Sequence, residues 1–173
     1  MKGQDGQTYQ DWVGSDSWRE GQETESDFGA LVKERYPDAR KATLDEQYQH
    51  KDWICSAGSI DVKALKRKSR ASAKTEDFIW IEFVNNVGDA GWLYGEQDFL
   101  AFECIDNYIV VRRRHLQKLA EDLCSTEKRV ARAAEALYKG YSRQNRKDLI
   151  SMIRRSDLLK LKHTILKKHV ALL

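Results

Sequence analysis

Three charged residues within the stretch HKDWICSAGSIDVKALKRK (residues 50–68) have the types and spacing that phosphate chemistry uses: Asp52, Asp61 and Lys63. Two convergent carboxylates can hold a Mg²⁺ ion that keeps several waters and accepts phosphate oxygens as further ligands. A cation so placed acidifies a bound water and neutralises charge building on the phosphoryl group. A neighbouring lysine can orient or deprotonate the attacking water and steady the developing charge as a compact cation. Its pKa would be drawn up by the carboxylates and down by the metal and by desolvation; the sequence leaves the balance open.

These residues need a strand hairpin to bring them together. Asp52-Trp53-Ile54-Cys55 and Ile60-Asp61-Val62-Lys63-Ala64 read as short strands around the turn composition Ser-Ala-Gly-Ser. Side chains alternate along a strand, so Asp61 and Lys63 share one face while Ile60, Val62 and Ala64 share the other. The two charges stand about 7 Å apart along the strand, from a rise of roughly 3.3 Å per residue. A four-residue loop, Ser56 to Ser59, would set Asp52 directly across from Lys63, about 5 Å between Cβ atoms, and diagonal to Asp61. A one-residue slip would send Asp52 to the opposite face.

The flanking sequence predicts further elements. Residues 1–25 are polar and without clear period, and read as a flexible arm in which Trp12, Val13 and Trp18 stand out. Ser26 or Asp27 caps a helix whose stripe is Phe28, Leu31 and Val32, ending near Tyr36 ahead of Pro37. Phe78 to Val84 (FIWIEFV) reads as a central strand, and Phe99–Glu103 with Tyr108–Arg112 as a second hairpin. Leu116, Leu119, Ala120 and Leu123 mark a helix, with a second over Val130–Leu137 stopping at Gly140. Asp148–Ile153 reads as a strand, and Ser156 caps a last basic helix carrying Leu158, Leu159, Leu161, Ile165 and Leu166. The expectation is an α/β (α+β) fold, a mixed sheet flanked by helices. Its parts are an arm (1–25), a core (26–114) and a basic, mainly helical C-terminal region (115–173) packed on the core.

Composition narrows the class. The 173 residues are 41% hydrophobic and 33% charged, with one proline and ten glycines, which suits a globular chain. No apolar run approaches the roughly 20 residues of a membrane helix, and no signal peptide is visible. The expectation is therefore a soluble, cytoplasmic protein with no membrane partner. Cys55, Cys104 and Cys124 form no CxxC pair and read as buried free thiols. The four histidines make no HExxH spacing. Residues 1–111 hold 13 Lys+Arg against 21 Asp+Glu, a balance of −8, and residues 112–173 hold 17 against 6, a balance of +11. A basic third on an acidic body is compatible with a polyanion partner.

Asp52, eight intervening residues and then Asp61-Val62-Lys63 resemble the PD-(D/E)xK nuclease superfamily, which has the restriction-endonuclease-like fold. The Gly91-Trp92…Asp98 pattern is similar to phage and restriction-type members. The resemblance extends more loosely over residues 28–112 and implies a Mg²⁺-dependent DNA endonuclease, homing-type, restriction-type or junction-resolving, with Mn²⁺ able to substitute. It implies Asp52, Asp61 and the Val62 backbone carbonyl as metal ligands and Lys63 as the catalytic lysine. Glu34, on the first helix, and Glu82, on the strand after the hairpin, are additional candidates. The family's proline before the first acid is absent here, where Lys51 stands. A host-cell cytoplasmic setting for a phage protein and a homodimer also fit the resemblance.

Lys66, Arg67, Lys68 and Arg70 directly follow the lysine, and Arg112, Arg113 and Arg114 precede the helix. Both runs are candidate phosphate contacts, as are Lys160, Lys162, Lys167 and Lys168. Trp92 and Tyr94 are candidates for stacking. Two other functions compete: a non-catalytic nucleic-acid-binding module on the same fold, and a phage-type protein-binding inhibitor.

Overall fold

The computed structural model describes residues 16–169. In chain order the elements are α1 (Asp16–Arg35), β1 (Arg40–Lys41), α2 (Leu44–Tyr48), β2 (Trp53–Cys55), β3 (Gly58–Lys63), β4 (Phe78–Val84), β5 (Phe99–Glu103) and β6 (Asn107–Arg112). They continue as α3 (Arg113–Leu123), β7 (Ser125–Arg129), β8 (Lys139–Gly140), β9 (Leu149–Arg154), α4 (Arg155–Leu158) and β10 (His163–Lys167). Six strands form one sheet in the order β1-β2-β3-β5-β6-β10, with β3 and β5 parallel and the other neighbours antiparallel. The expected mixed sheet flanked by helices is therefore present.

Both faces of this sheet are covered, because strand alternation sends apolar residues to each side. Ile60 and Val62 of β3, Ala101 of β5 and Tyr108 of β6 pack with Phe28, Leu31 and Val32 of α1. On the opposite face Leu100, Phe102, Ile109 and Val111 pack with Ile79, Ile81 and Phe83 of β4, Leu116 and Ala120 of α3, and Ile153 of β9. The β4 strand was expected at the centre of the sheet. It pairs instead with β9 as a separate antiparallel ribbon lying over that second face. The β3 edge it would need is already hydrogen-bonded to β5.

The first helix begins at Asp16, ten residues before the expected cap, so residues 16–25 are helical; the expectations for Trp12 and Val13 lie outside the described residues. Tertiary contacts hold this polar extension. Trp53 enters the helix surface at Gly29, where a Cβ would fall 1.9 Å from the indole, and its Nε1 donates to the Glu25 carbonyl at 3.0 Å. Thr24 Oγ1 donates to Glu103 on β5 at 2.9 Å.

The region beyond residue 114 is corrected most. The helix expected over Val130–Leu137 is a short 3₁₀ turn, Ala133–Glu135, between β7 and β8, and the expected last helix is only the four residues of α4. Leu158–Leu166 has helical spacing, yet His163–Lys167 extends and pairs along β6. The open edge of β6 offers a full row of backbone partners, which outweighs a modest helical preference. The strand expected over Asp148–Ile153 is present as β9, Leu149–Arg154. All three cysteines are buried and free, as expected.

Candidate active site

The β2–β3 hairpin closes through a two-residue turn, Ser56-Ala57, with Cys55 opposite Gly58 and Trp53 opposite Ile60. Gly58 enters the ladder at φ +133°, a conformation that suits glycine. The expected four-residue loop and the Asp52–Lys63 pairing are thus displaced by two residues. A two-residue shift keeps the paired side chains, Trp53 to Cys55, on their faces, and Asp52, outside that pairing, reaches the Val62 N–H instead of lying opposite Lys63. The Asp52 N–H also donates to the Ile60 carbonyl at 2.9 Å, so Asp52 sits as an extra residue where β2 leaves β3. Its Oδ2 accepts from the Val62 N–H at 2.7 Å, supplying the acceptor that the β2 backbone no longer offers.

Asp61 and Lys63 project from β3 onto the face that Leu100 and Phe102, their register partners on β5, fill with hydrocarbon. Asp61 is 3% exposed. Its Oδ2 lies 2.8 Å from Lys63 Nζ and 3.4 Å from Gln97 Nε2, and the charge of Asp52 bears on its carboxyl. Lys63 Nζ stands 5.1 Å from the centroid of the Trp92 ring. Burial pushes the Asp61 carboxyl well above the usual carboxylate range; Lys63 pulls it back and Asp52 raises it again. For Lys63, burial acts to lower the pKa, but Asp61, Asp52 and Glu82 together outweigh it and the net direction is upward.

Two further ionisable side chains feel the charges of this cluster. Glu25 of α1 has a carboxyl raised by burial and by Asp52, opposed by Lys41 and Lys63. His50, at φ +59°, is lowered by burial and by Lys63, with Asp52 acting the other way. Neither was singled out from the sequence. In the observed helix Glu25, Phe28 and Val32 follow helical spacing, but the sequence reading placed residue 25 in the arm ahead of the expected cap. Thr43 and Glu46 form a capping box that starts α2 and delivers the chain to His50.

The other candidates fall as follows. Glu34 lies away from the cluster, exposed and 2.8 Å from His169. Glu82 is half-buried, accepts from the Trp92 N–H at 3.3 Å and bears on Lys63 electrostatically. Val62 contributes its N–H to Asp52. Asp98 binds Ser59 through both N–H and hydroxyl, tying the loop to β3. Trp92 is buried under Lys63, whereas Tyr94 is 40% exposed.

Among the basic residues, Lys66 and Arg70 are exposed, Arg67 donates to the Ser72 carbonyl, and Lys68 lies over the Phe78 ring. Arg112 and Arg114 are exposed, Arg112 resting on Phe99. Arg113 is committed to the Leu93 and Gln97 carbonyls and to Gln117. Lys160 pairs with Asp157 and Lys168 with Glu103, each at 2.8 Å, while Lys162 and Lys167 are exposed.

Asp52 and Asp61 are the side chains that could hold a cation. Among the described residues no group of three or more His, Cys, Asp or Glu side chains is arranged to bind a metal ion. The donor set is therefore a carboxylate pair, to which neutral oxygens would have to be added. No protein-family model matches this sequence, and no curated protein or solved structure matches it significantly.

Proposed function

We propose that the protein is a metal-dependent DNA endonuclease that hydrolyses phosphodiester bonds at Asp52, Asp61 and Lys63. The observation that carries this reading is the burial of Asp61 between Lys63 and a second carboxylate. A carboxylate pair inside a protein costs free energy unless positive charge shares it, and Lys63 offers one charge against two. The oxygen donors suit a hard cation such as Mg²⁺, or Mn²⁺ in its place. Asp52 and Asp61 would hold it, and it would supply an acidified water and neutralise charge on the phosphate.

The chain's own residues would do the rest. The Val62 N–H fixes the Asp52 carboxylate, and Gln97 and Lys63 fix Asp61. The Lys63 ammonium, favoured by Asp61, Asp52 and Glu82, would act as a point cation that orients the attacking water and steadies the transition-state charge. Trp92 lies under the Lys63 ammonium, which stands 5.1 Å from the ring centroid. The exposed Lys66, Arg70, Arg112 and Arg114 are available for phosphates on either side of the cut, contacts that position DNA without reading its sequence.

One observation favours a second reading. The direct 2.8 Å contact between Lys63 and Asp61 is also what a purely structural ion pair would make, as in a DNA-binding module without catalysis. Cleavage of plasmid and branched DNA in Mg²⁺ and Mn²⁺, with binding measured in Ca²⁺, separates the two. Cleavage lost in Asp61→Asn supports the nuclease. Binding without cleavage of any of these substrates by the wild-type chain overturns it.

A further inference from the structure

Gln97 is 1% exposed, and its Oε1 finds no hydrogen-bond partner among the described residues. Buried amide oxygens are nearly always satisfied, and an orphan marks a place for a water or an ion. The orientation of this amide is determined by its surroundings. Nε2 donates to the Trp92 carbonyl at 2.8 Å and faces Asp61 Oδ2 at 3.4 Å, so turning the group over would set oxygen against two oxygens. Oε1 is left facing Gly95 and His50: a Cβ built on Gly95 would fall 2.2 Å from Oε1 and 3.0 Å from His50 Cδ2. The amide that carries Oε1 touches Asp61 through Nε2, so the orphan oxygen lies one amide group away from that carboxyl.

We infer that Gln97 Oε1 is a neutral oxygen ligand of a divalent cation held at Asp52 and Asp61. The inference rests on the cation reading proposed above. Hard cations take amide carbonyl oxygens together with carboxylates. A neutral donor adds a ligand without a further negative charge beside the two carboxylates. The two contacts on Nε2 hold the oxygen in place before any cation arrives.

The test is Mn²⁺ alone titrated into the full chain, with free Mn²⁺ counted by EPR and Mg²⁺ as competitor. The wild-type chain should show a site that Asp61→Asn abolishes. Gln97→Leu should weaken it by about 10- to 100-fold, the range seen when supporting residues of metal sites are removed. Gly95→Ala is the second variant. Gly95 has an ordinary φ of −66°, so the added methyl acts by pressing on the Gln97 amide and on His50 and should weaken binding in the same direction. It decides the matter if Gln97→Leu fails to fold. Folded variants that bind Mn²⁺ within twofold of wild type, while Asp61→Asn does not, would remove Gln97 and leave the carboxylate site standing. No Mn²⁺ binding by the wild-type chain would remove both.

Discussion

On one face of the central sheet, β3 and β5 carry opposite chemistry in register. Leu100 and Phe102 of β5 lie opposite Asp61 and Lys63 of β3, and Leu100 and Asp61 are nearly equally enclosed, at 0% and 3% exposure. Enclosing Leu100 stabilises the fold by removing apolar surface from water, at about 25 cal/mol per Å². Enclosing Asp61 does the reverse, and its raised proton affinity records the cost. Buried ion pairs are often no better for stability than apolar residues of similar volume. The β3 side is thus a place where the fold tolerates an expense that the adjacent strand shows it could avoid, the pattern expected of a functional site.

The contrast is sharpest at Lys63. If the charged side exists for catalysis, Lys63→Met should slow cleavage by about 10²–10³-fold, comparable to removing other preorganised electrostatic groups. Folding, followed by circular dichroism with Mg²⁺ present to offset the two carboxylates, and DNA binding in Ca²⁺ should survive. Undiminished cleavage by folded Lys63→Met would remove this role. On the apolar side, Leu100→Ala should cost about 2–5 kcal/mol of stability through lost burial and a residual cavity, read by urea denaturation. A loss well under that range would mean the two sides are less different than their burial implies.

Asp61→Asn probes the contrast through pH. Because the folded-state pKa of Asp61 is raised, its contribution to stability is full below the unfolded value of about 3.9 and is lost as pH rises through the folded value. In EDTA at pH 7, Asp61→Asn should therefore melt higher than wild type by a few degrees, and the two should converge as pH falls toward 4. A lower melting point at pH 7 would show that the ion pair with Lys63 outweighs the burial cost. The smallest effect concerns the exposed end of β6. Arg112→Ala with Arg114→Ala should flatten the dependence of log K on log salt by about 2, near 0.9 for each lost phosphate contact. Arg113→Ala should instead lower stability, since its guanidinium braces the Leu93 and Gln97 carbonyls. An unchanged slope in the double variant would move the DNA surface elsewhere.

Period-two alternation is a property of extended backbone, so the sequence by itself determined that Asp61 and Lys63 share a face and that Ile60 and Val62 pack on the other. Pro37 likewise set the end of α1, and the turn-rich SAGS segment set the existence of the hairpin, though not its length. Tertiary structure decided the remainder. Gly58 joined the ladder, which shortened the turn and moved Asp52 from Lys63 to the Val62 N–H. Docking of Trp53 extended α1 to include Glu25, and the open edge of β6 drew His163–Lys167 out of helical geometry. His50 and Gln97 belong to loops, where no periodicity marks a side chain's direction. Alternation and chain stops act over neighbouring residues and can be read locally. Register, helix length and strand capture depend on partners distant in sequence, whose hydrogen bonds exist only once the chain has folded.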